Sequence, residues 1–361
     1  MYYLARRLRD LGHRITVAGI WDRSQDYDNE GIRIVTVKTS GNMLAQRRDF
    51  HRWLEADAQN SSTNLVEVPD FDGMLPFRFR ACPVVVRLHL PGTAIALDKL
   101  RPLHPIRYFC ERETLRRHPD WIAVSKLVAR LTKKLFVLKP RNSAVIHNNF
   151  APPVTVQPES AMVESLRQEH GDFIVYVGQV SNRKGAVALA HAARYFLPQL
   201  AGLQLVYIGP DTLHWGHSTC GVIRSHLGSL ASRVIFTGGL PHQAVIGWLA
   251  AAARAFALPS RLEAFAIAPI EAMHARVPVI FTSRASGPEL INDGRTVLLV
   301  NPARPREIAE AVVRVIRDRA FATRLAEQAF EMVQTRFALD TCIQATLAFY
   351  EEVCLAAKRG S

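Results

Sequence analysis

Short apolar runs of strand length alternate with helical patterns along nearly all of this 361-residue chain, and this alternation constrains its fold more than any other feature. Strand-like runs fall at 14–20, 32–37, 65–68, 84–88, 121–124 and 144–146. After a break they resume at 173–177, 203–208, 234–236, 255–258, 279–281 and 297–300, and the last stretch of the chain reads as helix alone. Strands separated by helices pair as parallel neighbours, so the pattern predicts parallel sheets covered by helices on both faces. The break at 148–158 is rich in Pro and Asn and poor in helix formers, as a linker is. The expected organisation is an α/β domain over 1–150, a linker over 151–165, a second α/β domain over 166–338 and a closing helical segment over 339–361. Two such domains would leave a cleft between their sheets, with ligands at the carboxyl ends of the strands. The chain opens on a helix, with Leu4, Leu8 and Leu11 on one face and Gly12 to end it. Domains of this kind open on a strand, so the first strand and its glycine-rich turn are expected to be absent.

Composition removes several classes. At 48% hydrophobic and 21% charged residues the chain has the make-up of a globular protein. No apolar run approaches the roughly 18 residues of a membrane-spanning helix. Residues 1–9 carry charge from the first turn and lack the apolar core of a signal peptide, which predicts a cytoplasmic protein. Five cysteines lie far apart without metal or redox spacing and read as reduced thiols. The net charge of +13 points to an anionic partner: nucleic acid, an anionic membrane surface or a phosphorylated ligand. No zinc-finger spacing or aromatic ribonucleoprotein motif accompanies it, so nucleic acid is not expected.

Four loops that follow strands of the second half carry residues suited to phosphate and sugar hydroxyls. The most informative runs from Pro259 to Met273. Its small residues Ala264, Ala266 and Ala268, beside Phe265 and Ile267, let the backbone approach a ligand. A helix expected to begin at Pro269 would present free N–H groups to an anion. Glu263 in the loop and Glu271 in the first helical turn are both negative and poorly suited to phosphate, but a carboxylate accepts two hydrogen bonds from a vicinal diol. A phosphate flanked by two polyols describes a nucleotide sugar. The loop after 173–177 offers Gly178 for close approach, Gln179, and the cations Arg183 and Lys184 before Gly185. The loop after 234–236 carries Gly239 and Leu240, the latter suited to face a base. The loop after 279–281 adds Ser286 and Gly287. Taken singly, a Glu at a helix start is a dipole partner and a Lys-Gly pair is surface. Four such loops at strand ends weigh against coincidence.

Gly178 with Lys184-Gly185, the Glu263–Glu271 pair framed by Pro259-Ser260 and Glu271-Ala272-Met273, and Gly287-Pro288-Glu289 resemble the retaining glycosyltransferases of family 4. The resemblance extends over about residues 1–355, with looser motifs in the first half. It implies the GT-B architecture of two Rossmann-like domains, with the closing helix packed back on the first. It further implies that Lys184 contacts the donor diphosphate, Glu263 the transferred sugar and Glu271 the ribose, while Leu240 borders the base. The sequence departs from the family pattern at Gln179, where an arginine is usual, and at Ala264-Phe265-Ala266, where the family has Gly-x-Gly.

In the first half, His89 ends the strand-like run 84–88. As a lone histidine it reads as structural; by the resemblance it is the histidine beside the transferred sugar. Thr93 and Arg87 are weaker neighbours. Glu67 and Asp70, in the Val66–Gly73 turn, match an acceptor-side motif of some members. Asp70 and Asp72 mimic a metal-binding Asp-x-Asp, but GT-B transfer requires no metal, and neither metal nor cofactor is expected. Glu111 and Glu113 read as a solvated helix face.

The expected activity is transfer of a sugar from a nucleotide-diphosphate sugar to a glycan, lipid-linked or small-molecule acceptor, with retention of configuration, in polysaccharide biosynthesis. His89, Lys184 and Glu263 are the candidate catalytic residues. A phosphorylase or epimerase of the same build and a non-catalytic nucleotide-sugar-binding protein are the alternatives. Arg6, Arg7, Arg9, Arg78 and Arg80 either dock an anionic membrane surface on its cytoplasmic side or form solvated faces.

Overall fold

A computed structural model describes residues 2–148, 160–252, 254–291, 293–337 and 339–359. The chain forms two compact units, Met1–Asn149 with Leu339–Ser361, and Phe150–Ala338.

The first unit contains two sheets. Strands β1 (Ile15–Trp21), β2 (Gln25–Asn29) and β3 (Ile32–Lys38) form one in the order β1-β3-β2, with β1 parallel and β2 antiparallel to β3. The β2–β3 hairpin turns on Glu30 and Gly31, both at positive φ, the conformation that a two-residue turn needs to match strand twist. Strands β4 (Val66–Pro69), β5 (Val84–Leu88), β6 (Asp120–Ala123) and β7 (Asn142–Val145) form the second, all parallel, in that order. Every residue of β5 and β6 is buried, which is why both read as continuous rather than alternating runs. Around the sheets lie α1 (Tyr2–Asp10), α2 (Met43–Asn60), α3 (Gly92–Asp98), α4 (Pro105–Arg117) and α5 (Lys126–Phe136). Asn42 caps α2 and Ser125 caps α5 by accepting backbone N–H groups at 3.0 and 3.2 Å. The closing helix, Leu339–Arg359, sets Phe349 and Val353 against Val85, Ile122 and Ile146.

The second unit is built on one parallel sheet. Its strands are β8 (Phe173–Val177), β9 (Gln204–Ile208), β12 (Val234–Gly238), β13 (Ala255–Leu258), β14 (Val279–Thr282) and β15 (Leu298–Val300), in the order β12-β9-β8-β13-β14-β15. A small hairpin, β10 (Leu213–His214) with β11 (His217–Ser218), projects beyond β9. The helices are α6 (Ser160–His170), α7 (Ala186–Phe196), α8 (Thr219–Leu227), α9 (His242–Ala252), α10 (Ala268–His274), α11 (Gly287–Leu290), α12 (Pro305–Arg317) and α13 (Arg319–Arg336).

Three expectations need correction. Residues 160–165, assigned to the linker, are helical; 151–159 lie outside the described residues. The helix after β13 begins at Ala268, with Pro269 inside its first turn. Strand β2 and the β10–β11 hairpin were not expected, because β2 is exposed throughout and the hairpin strands are two residues each, so neither carries an apolar signal.

Candidate functional site

The strand order of the second unit runs outward in both directions from β8 and β13, so its topological switch lies between them. A crevice opens outside the carboxyl ends of strands at such a point. The loops that follow these two strands carry most of the candidate donor residues, and they are fastened together. Arg261 N donates to the Arg183 carbonyl at 2.8 Å, and Ser260 Oγ to the Lys184 carbonyl at 3.3 Å. Gly185 is required here: its φ is +80°, and a Cβ would be driven into the Pro259 carbonyl. The β8 loop is also held from below. Buried Tyr176 donates its hydroxyl to the Gln179 carbonyl at 2.7 Å.

Across this seam the Lys184 ammonium contacts Glu263 Oε2, with the glutamate only 5% exposed. The second glutamate takes a partner from a more distant strand. Glu271, in α10 after β13, meets His242 Nε2 at 2.6 Å, and His242 opens α9 after β12. Strands β12 and β13 are three positions apart in the sheet, about 14 Å at normal strand spacing. Helix α10 and the β12–α9 loop therefore converge above the ends of β9 and β8. The segments after β8, β12 and β13 are thus linked by two contacts, Lys184 with Glu263 and His242 with Glu271.

The remaining candidates of this unit divide by exposure. Gln179, Gly239 and Ile267 are exposed, Gly178, Arg183, Leu240, Ala264 and Glu271 are half-buried, and Ala266 is buried. The Phe265 ring is buried and packs edge-on against Phe337, so it anchors the loop and leaves its backbone as the part a ligand can reach. Ser286 is buried. Gly287 is fixed by packing, since a Cβ would strike the Thr282 carbonyl. His242 was missed by sequence reasoning; its only signal was its place two residues after Leu240.

The first unit gathers the other candidates at the ends of β4 and β5. The buried Asp70 carboxylate accepts the His89 N–H at 2.9 Å and the Leu90 N–H at 3.3 Å, holding Leu90 at φ 139°. Burial raises the Asp70 pKa to about 7, against the pull of those two amides and reinforced by Glu111. His89 lines a small cavity with Leu4, Arg87, His147, Cys342, Ile343 and Thr346. Burial, with Arg87 adding to it, lowers its pKa to about 4, so its imidazole is neutral at ordinary pH. Glu67 is fully engaged. It receives Arg87 Nε at 2.9 Å and the Tyr350 hydroxyl at 2.5 Å. Burial opposes its ionisation, but Arg87 and Tyr350 outweigh burial and hold its pKa below the ordinary value.

Glu111 and Glu113 are not on a solvated face; both are buried. Glu111 accepts the N–H groups of Asp72, Gly92 and Thr93 and the Thr93 hydroxyl, closing the start of α3. Glu113 takes Arg112, Arg116 and Arg117. A helix bearing Glu among many Arg reads as surface in sequence, whereas here Glu111 reaches inward to backbone donors and Glu113 is covered by guanidinium groups of its own helix. Asp72 pairs with Arg107 at 2.7 Å. Among the described residues no three His, Cys, Asp or Glu side chains are grouped to hold a metal ion. No helix of the described residues is long and apolar enough to cross a membrane.

Comparison with known proteins places this geometry in a family. Residues 1–149 match Glycosyltransferase Family 4, and residues 159–332 match Glycosyl transferases group 1. The chain belongs to the family 4 glycosyltransferases. It is similar to the alpha-D-kanosaminyltransferase of Streptomyces kanamyceticus, at 27% identity over 53% of this chain and 49% of that protein. It is also similar to the alpha-maltose-1-phosphate synthase of Mycolicibacterium smegmatis, at 26% identity over 72% of each. The chain thus spans about half the length of the first relative and under three quarters of the second. Among solved structures, the sucrose-phosphate synthase of Thermosynechococcus elongatus shares the fold, with a TM-score of 0.79 at 18% identity, covering 98% of this chain and 92% of that one. The fold is GT-B.

Proposed function

We propose that this protein transfers a hexose-like sugar from a nucleotide-diphosphate sugar to a glycan, lipid-linked or small-molecule acceptor, with retention of anomeric configuration. The observation that carries the reading is the placement of Glu263 in the loop after β13 and of Glu271 in the first turn of the helix that follows it, one carboxylate against the Lys184 ammonium and the other half-buried beside His242. A sugar diphosphate needs that sequence of groups: hydroxyl acceptors at both ends and a cation between.

In this reading Lys184 is held by Glu263 until the donor arrives, then faces the diphosphate as it leaves. Helix-terminal N–H groups and Arg183 add to the stabilisation of its growing negative charge. Glu263 orients the transferred sugar, Glu271 holds the ribose, and Leu240 borders the base, with Gly178, Gln179, Gly239 and residues 264–267 lining the donor. The acceptor hydroxyl attacks the anomeric carbon on the face from which the phosphate departs. The carbon–oxygen bond to phosphate breaks, a new one forms to the acceptor, and the acceptor proton passes to the departing phosphate oxygen. His89, with a neutral imidazole, is the residue that the resemblance assigns to the transferred sugar, and in that role it would supply a hydrogen bond rather than a charge. Asp70 and Thr93 shape the loop that presents it, and no metal or organic cofactor takes part. Arg6, Arg7 and Arg9 pair with Glu30, Asp340 and Asp10, which favours solvated faces over docking on an anionic membrane surface, and Arg78 and Arg80 are the exposed pair left for such a contact.

The test is turnover of a panel of radiolabelled nucleotide sugars with a glycan and lipid acceptor library. Transfer that is lost in Lys184→Ala and Glu263→Gln supports the reading. Unchanged turnover in Glu263→Gln removes the role given to that residue.

A further inference from the structure

Glu271 carries a flexible side chain, yet its task in the proposed function requires both oxygens to face a vicinal diol. Among the described residues its carboxylate has one partner, His242 Nε2 at 2.6 Å. His242 comes from a different strand loop, the first residue of α9, and follows Leu240 and Pro241. The imidazole side chain is 53% exposed, so packing does not oblige it to take this position, while the Glu271 side chain is only 12% exposed. With its proton on Nε2, the imidazole donates to Oε1 and fixes the plane of the carboxylate. Oε2 and the second lone pair of Oε1 remain free to accept hydroxyl groups.

We infer that His242 is a positioning residue for ribose recognition, holding Glu271 in the orientation that accepts the 2′- and 3′-hydroxyls of the nucleotide. This deepens the proposed function and rests on the assignment of Glu271 to the ribose. The arrangement resembles that of Lys184 and Glu263: each carboxylate is set by a donor from a neighbouring loop before any ligand binds. Selectivity for a ribonucleotide over its 2′-deoxy counterpart then comes from a pair of residues in the first turns of two helices. A site built to hydrogen-bond a hydroxyl discriminates strongly against an analogue that lacks it, provided its own groups are held in place.

The experiment is calorimetric binding of UDP, GDP and ADP, each against its 2′-deoxy counterpart, to the wild-type chain and to His242→Ala, His242→Gln and Glu271→Ala, with inorganic pyrophosphate as a second probe. At least one ribonucleotide is expected to bind at least about tenfold more tightly than its deoxy form. That preference falls to within about threefold in His242→Ala and Glu271→Ala, and His242→Gln, which keeps an N–H donor, recovers most of it. Pyrophosphate affinity stays within about twofold in all variants, which general damage to the site would not allow. If Glu271→Ala loses the preference while His242→Ala keeps it, the inference is wrong and the ribose assignment stands. If Glu271→Ala keeps it, or if no ribonucleotide binds, the assignment itself fails and the inference with it.

Discussion

The Lys184 ammonium rests against Glu263 Oε2, joining two loops that lie 79 positions apart in the chain and side by side at the switch between β8 and β13. A cation and a carboxylate paired at the strand ends form a site already set for charge. In the proposed function an incoming diphosphate meets the ammonium in place and shares it with the glutamate.

In the proposed function, removing that ammonium takes away the main stabiliser of the departing diphosphate. Lys184→Ala should lower kcat/KM by about two to three orders of magnitude, the range seen when one such electrostatic contact is deleted. Steady-state kinetics on the labelled donor measure it. Thermal melting of the variant should also show a loss, because Glu263, only 5% exposed, is left without its partner charge, so the rate is compared at a temperature where both proteins are folded.

The seam between the two loops depends on backbone contact. Gly185→Ala forces a residue with a Cβ into φ +80° and against the Pro259 carbonyl. It should cost at least about 2 kcal/mol of stability and weaken donor binding as the loops part. Denaturant unfolding and donor titration together report both effects.

Asp70 gives a pH dependence whose sign follows from burial. Its pKa of about 7 lies above the ordinary carboxylate value, so the folded state binds the extra proton between about pH 4 and pH 7. The stability it contributes is complete below about pH 4 and is lost as pH rises through 7, with an upper bound on the order of 4 kcal/mol. Asp70→Asn should therefore gain stability relative to wild type as pH rises from 4 to 7. Unfolding curves across that range check it, and a constant difference would contradict it.

His89 acts in the opposite sense. With its pKa lowered to about 4, its contribution is complete above about pH 6.5 and lost as pH falls through 4. Titration followed by NMR should show the His89 ring neutral at pH 6, and the rate profile should have no inflection near 6.5 that His89→Asn removes.

The closing helix is tied to β4 by the Tyr350 hydroxyl on Glu67. Tyr350→Phe leaves packing intact and removes that bond, at about 1.5–3 kcal/mol for a hydrogen bond to a charged group. A lower denaturation midpoint with an unchanged slope is the expected result.

The parallel sheets were legible because β5, β6, β8, β9, β13 and β14 are buried nearly throughout, and burial on both faces leaves an unbroken apolar run. The candidate donor loops stood out in sequence because Gly, Lys and Glu recur together at several strand ends, although Gly185 and Gly287 are also fixed by packing. Strand β2 was not, since an exposed edge strand of Gln, Asp, Tyr and Asn has no apolar face. The burial of Glu111 and Glu113 was hidden for another reason: their partners are backbone N–H groups and arginines, and no spacing of apolar residues records them. His242 is a contact between loops of distant strands, and only the folded sheet brings those together.

The most direct measurement is the melting temperature of wild-type, Lys184→Ala, Glu263→Ala and Glu271→Ala proteins across a panel of nucleotide-diphosphate sugars. At least one of these sugars should stabilise the wild-type chain, by about 2.7 kcal/mol at a hundredfold excess over its Kd, and each substitution should sharply reduce that gain. No stabilisation by any of them, or a gain that survives all three substitutions, would contradict the account.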